Sequence, residues 1–200
     1  MKHIASLVSA ACLVFANSSA TAHVVLQNWE AFAGFQQYVT VVVPHGCGAS
    51  PTTELRVKIP DGIVILVPEE KPGWQTIVTK RKLPSPLAGE GGAKISEVID
   101  EVVWTGGSLP GDRLGLFTML ARMPDTPGAV IYFKTVQKCA QGETRWIDTV
   151  AAGEPTWKIW AAASPSPFVL LKKAPLPQLG ATMQQILEER ARRAKAAGGN

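Results

Sequence analysis

The chain is cut into short β-branched runs by turn residues at close intervals. That rhythm leaves little room for any architecture but a β-sandwich or an open barrel. Tyr38-Val39-Thr40-Val41-Val42-Val43 is a β-branched run stopped by Pro44. Leu55-Arg56-Val57-Lys58-Ile59 alternates apolar and charged residues, the pattern of a half-buried strand. Pro60-Asp61-Gly62 has turn chemistry, because proline presets φ and glycine accepts positive φ. Ile63 to Val67 resumes a strand, and Lys71-Pro72-Gly73 turns again before Trp74-Gln75-Thr76-Ile77-Val78.

Residues 81–94, rich in Pro and Gly, read as an exposed excursion. Ile95 to Trp104 is the next strand, Gly106 to Asp112 a loop, and Leu114 to Ala121 and Val130 to Val136 two further strands. Thr144 to Ile147 follows the Gln141-Gly142 turn and is expected to pair with Tyr132 to Gln137 as a hairpin.

The two ends differ from this body. Met1-Lys2-His3 is a short positive region, Ile4 to Ala16 an apolar run, and Asn17 to Ala22 a small polar segment ending in Ala-x-Ala. Residues 1–22 therefore read as a secretory signal, too short in its apolar part to span a bilayer. Cleavage after Ala22 leaves His23 first in a soluble, exported chain, periplasmic or secreted. Two cysteines then remain, Cys47 and Cys139. Far apart in sequence and in an oxidising compartment, they are expected to form one disulfide; no Cys-x-x-Cys pair supports a cysteine metal site.

At the other end, Pro165, Pro167, Pro175 and Pro177 suggest an extended linker or edge segment. Residues 23–163 are read as the folded domain, and 164–200 as a Pro-rich linker and a basic helix. Thr182, Met183, Ile186 and Leu187 recur at helical spacing before Gly198-Gly199. Such a helix can touch an anionic membrane surface, although a solvated terminus is the commoner outcome. The net charge of +4 comes largely from Lys172, Lys173, Arg190, Arg192, Arg193 and Lys195. The body lacks a basic stripe with interleaved aromatics, which argues against a nucleic-acid partner.

Motifs for catalysis are lacking. The sequence holds no glycine-flanked serine elbow, phosphate loop or zinc-protease helix, so the chain is not expected to be an enzyme. What it offers is an N-terminal histidine, whose α-amine and ring nitrogen can chelate one ion. That donor set suits Cu(II), which tops the Irving–Williams order and favours tetragonal nitrogen and oxygen ligands. His45, Glu54 and Asp148 are the candidates for further donors.

The sequence resembles the YcnI-like copper-binding family of exported bacterial proteins, in its proteobacterial branch. The resemblance is carried in order by Ala22-His23-Val24, by Val43-Pro44-His45-Gly46-Cys47-Gly48, and by Ser50-Pro51-Thr52 with Leu55 to Gly62. It continues through Pro72-Gly73-Trp74, Trp104-Thr105-Gly106-Gly107, Tyr132-Phe133, Val136-Gln137-Lys138-Cys139 and Arg145-Trp146-Ile147-Asp148. It implies a cupredoxin-like or immunoglobulin-like antiparallel β-sandwich. It also implies Cu(II) held by the amine and ring of His23, with Trp146 as the late-strand tryptophan packed close by. In the family a glutamate completes the coordination. Here either His45 replaces it or Glu54 reaches in from the next strand, and His45 is the slightly favoured choice.

The expected function is that of a copper chaperone or buffer. Its partners would be the copper ion and another periplasmic copper protein or a membrane copper transporter. A copper monooxygenase-like enzyme and a metal-free immunoglobulin-like interaction module are the alternatives.

Overall fold

The computed structural model describes residues 23–88, 93–151, 153–174 and 188–196. The signal segment and the residues from Thr182 to Leu187 lie outside them. Among these described residues, twelve strands form three sheets. The first has the order β1-β3-β8-β5, built from Val25–Leu26, Gln36–Val43, Gly115–Arg122 and Leu66–Pro68. The second has the order β11-β10-β4-β7-β6, from Glu143–Trp146, Thr135–Cys139, Thr52–Lys58, Lys94–Leu109 and Gln75–Ala88. A small third sheet, β2-β12-β9, joins Glu30–Phe32, Phe168–Lys172 and Val130–Tyr132. Pairing is antiparallel throughout, except that β12 runs parallel to β2.

The core follows from period-two alternation. Val39, Val41 and Val43 of β3 and Phe117, Met119 and Ala121 of β8 are buried on one sheet. Leu55 and Val57 of β4 and Val102 and Trp104 of β7 are buried on the other. Trp104 and Phe117 meet with ring centroids 5.5 Å apart. The Trp104 indole N–H is satisfied by the Glu69 carbonyl at 3.1 Å. Each fully buried Leu, Val or Phe side chain contributes about 1.5–3 kcal/mol relative to exposure.

The expected disulfide is present: Cys47 and Cys139 are bonded across a sequence separation of 92. The expected hairpin is present as well, with Thr135 opposite Trp146 and Lys138 opposite Glu143. Gly142 supplies the positive φ, 90°, that its turn needs.

Four segments differ from expectation. Residues 81–88 belong to the outer half of β6: Arg81, Lys82, Leu87 and Ala88 pair with β7, and the ladder skips Leu83 to Pro86, with a further register shift between Thr79 and Lys80. Pro84 and Pro86 are tolerated because β6 is an edge strand, where a missing N–H costs no ladder bond. The expected 106–112 loop is shorter, since β7 continues to Leu109. The single expected strand from Val130 to Val136 is two: β9 joins the small sheet, and the chain crosses at Phe133 and Lys134 into β10 of the large one.

The segment read as a linker from residue 164 onward contains β12. Its residues Phe168–Lys172 lie between β2 and β9, and Val169 and Leu171 enter the core. Pro165 and Pro167 precede that strand instead of interrupting it. Residues 188–196 are helical, as the tail composition suggests.

Candidate functional site

His23 lies at the start of β1, whose register sets Val25 against Val42 and Leu26 against Val41 of β3. His23 precedes Val25 by two residues, and Pro44 and His45 directly follow the end of β3. The His23 ring meets the Trp146 ring edge-on, with centroids 5.6 Å apart and planes at 60°. Trp146 is itself 97% enclosed, being only 3% exposed, at the end of β11. Its indole N–H donates to Oε1 of Gln137 at 3.1 Å. Gln137, buried on β10, donates from Nε2 to the His45 carbonyl and to Thr52 Oγ1, both at 2.8 Å.

His45 heads a tightly anchored turn. The Gly46 N–H donates to the Gly111 carbonyl at 3.0 Å, and Cys47 and Ser50 exchange backbone hydrogen bonds of 3.1 and 3.2 Å. The disulfide and the bond from the Ala140 N–H to the Pro51 carbonyl tie this turn to the end of β10. The ring of His45 is informative. Its Nδ1 is 2.5 Å from the Gly46 carbonyl oxygen, which can only accept. Nδ1 therefore carries the proton, and in the neutral ring Nε2 holds the lone pair. Nε2 is buried without a hydrogen-bond partner. A ring N–H fixed on a backbone carbonyl with the other nitrogen left free is the usual arrangement of a metal-ligating histidine.

Glu54 is not brought to this site. In β4, Leu55 and Val57 face the core, so Glu54 and Arg56 project from the outer face. There Glu54 is bound by Arg56 Nε at 2.5 Å, Lys138 Nζ at 3.1 Å and the Thr105 hydroxyl at 3.1 Å. Burial, the largest single influence, pushes its carboxyl pKa up. The hydrogen bonds from Arg56, Lys138 and Thr105 together outweigh it and hold the group below the usual carboxylate value. The pleat of β4 thus sets Glu54 among the ion pairs of the outer face, away from the inward-facing Gln137 and Trp146.

Asp148 is committed elsewhere too. Its Oδ2 accepts the Ser164 N–H at 2.8 Å, and its backbone bonds Ser164 and Ser166, holding the segment that leads into β12. No cluster of three or more His, Cys, Asp or Glu side chains suited to a metal occurs among the described residues.

Gln137 and Thr52 are the residues that reading by motif passes over. The signal for Gln137 is its place in Thr135-Val136-Gln137-Lys138-Cys139. Alternate members of that run face inward, so an amide is carried into the core.

Strand order and packing define an immunoglobulin-like β-sandwich. A solved structure titled as an uncharacterized protein from Nocardia farcinica with an immunoglobulin-like fold aligns at TM-score 0.52 and 22% identity, covering 76% of this chain and 99% of that one. The chain belongs to the family described as a domain of unknown function, DUF1775, whose model matches residues 23–170. No curated protein matches it.

Proposed function

We propose that the chain is an exported Cu(II)-binding protein, a chaperone or buffer rather than a catalyst, with copper as its cargo. The mature N-terminal His23 supplies amine and ring nitrogen, and His45 Nε2 is the further nitrogen donor. The observation that carries this reading is the edge-on contact of His23 with Trp146, a half-buried histidine seated on a buried indole. The unpartnered, correctly tautomerised Nε2 of His45 supports it. So does the resemblance of residues 23–150 to the YcnI-like copper-binding family, together with the match to DUF1775 over residues 23–170.

Trp146 walls one side of His23 against water, and its polarisable ring face favours a nearby cation. The disulfide agrees with an oxidising compartment such as the periplasm. The receiving partner would be another exported copper protein or a membrane copper transporter.

The test is a Cu(II) titration of the processed protein, followed by electron paramagnetic resonance. A form with one extra residue before His23 keeps the ring and loses the α-amine. It is expected to bind far more weakly, and equal binding would refute the brace.

A further inference from the structure

We infer that Gln137 is the positioning residue of the copper site: it sets the Trp146 ring against His23 and fixes the main chain of His45 with a single amide. The inference rests on the copper reading above and assigns a role to a residue outside the donor set.

The amide has one possible orientation. Trp146 Nε1 is a donor only, so the atom that faces it at 3.1 Å must be the carbonyl oxygen Oε1. The His45 carbonyl is an acceptor only, so the atom that faces it at 2.8 Å must be the nitrogen Nε2. The second hydrogen of Nε2 goes to Thr52 Oγ1, also at 2.8 Å. Both hydrogens and the oxygen are therefore used, each by a different segment: β11, the turn after β3, and the start of β4.

Gln137 is 1% exposed, and Thr52 is fully buried. An amide spent in this way inside a core costs desolvation that an apolar residue would avoid. What it gains is geometric. The indole cannot rotate about its long axis without losing the N–H bond, and the His45 carbonyl cannot shift without leaving one hydrogen of Gln137 Nε2 unpaired. Both groups that flank the copper-binding end answer to one side chain. Partners of this kind, one step behind the ligands, typically change metal affinity by about 10–100-fold when removed.

Gln137→Met keeps the length of the side chain and removes all three hydrogen bonds. With fold retention checked by circular dichroism, its Cu(II) affinity is expected to fall by about 10–100-fold. The copper hyperfine pattern in electron paramagnetic resonance should shift as well, which loss of stability alone would not produce. Thr52→Val removes the hydroxyl that steadies the amide and touches neither histidine nor Trp146. It should move both readouts in the same direction, and it decides the matter if Gln137→Met does not fold.

Wild-type affinity and spectrum in a folded Gln137→Met, or in Thr52→Val, overturn the assignment. If the extra residue before His23 still abolishes binding in that case, the copper reading survives alone. If wild-type binding ignores the extra residue, both fall together.

Discussion

Glu54 and Gln137 are one residue out of step across the β4–β10 pair: Glu54 lies opposite Lys138, while Gln137 lies opposite Leu55. Because side chains alternate along a strand, that offset sends the carboxylate outward and the amide inward. It separates a charged lattice on the outer face from the polar network beside His23.

The first consequence concerns donors. Glu54→Gln is expected to leave Cu(II) affinity within about twofold of wild type, since the carboxylate is on the other side of the sheet. His45→Ala should weaken binding by at least about tenfold if Nε2 is a donor. Competitive titration against a chelator of known affinity measures both. The reverse ranking would return Glu54 to the site.

Acid stability depends on the same carboxylate. Its pKa is lowered in the folded state, so its stabilising contribution is fully present above the unfolded-state value of about 4.3. That contribution fades as pH falls through the folded-state value. Wild type should therefore be more stable than Glu54→Gln at neutral pH, with the gap closing below about pH 4.3. Urea midpoints taken across that range test the sign.

Breaking the Cys47–Cys139 bond should cost a good part of the fold's margin. For a separation of 92 residues, the chain-entropy account gives about 4–5 kcal/mol. The double replacement Cys47→Ser with Cys139→Ser is expected to lower the urea midpoint accordingly. It should also weaken copper binding, because the turn that carries His45 loses its covalent tie to β10 and keeps only hydrogen bonds.

The turn itself can be probed at its glycines. A Cβ at Gly46 would collide with the Ser50 carbonyl oxygen and crowd the Gly111 backbone, so Gly46→Ala should cost about 1–3 kcal/mol and displace His45. At Gly48 a Cβ meets open space, but φ is +63°. Gly48→Ala should cost only the left-handed penalty of about 1–2 kcal/mol and leave copper binding intact. Melting curves and copper titration together separate clash from strain.

Much of the sandwich is legible in the sequence, because Val39 to Val43 and Leu55 to Ile59 carry period-two burial in their composition. The face of Glu54 was legible by the same alternation, since Leu55 and Val57 bracket Arg56 and fix which side is wet. The break between β9 and β10 was not. Val130 to Val136 reads as one apolar run, and only the third sheet reveals that it serves two layers. β12 is hidden for a related reason: its neighbouring prolines mark a linker to any local reading. Only pairing with β2 and β9, both distant in the chain, turns Phe168–Lys172 into a central strand. At the site, His23, His45 and Trp146 could each be picked out, but the amide that ties Trp146 to His45 needs three segments in register.

The long β6 strand at the margin of the large sheet bears on how this protein behaves when crowded. A bare strand edge invites a neighbouring molecule to zip onto it through its free amide and carbonyl groups. Here two ring nitrogens without hydrogen, at Pro84 and Pro86, interrupt the row of donors, and Lys80 and Lys82 place positive charge along it, while Arg81 is paired with Asp61 and Asp100. Two register shifts also break the regular ladder of the ribbon. A second copy approaching that margin finds no continuous template and meets like charge. The same irregularities that disguise the strand in the sequence are the devices by which edge strands are blunted against such pairing.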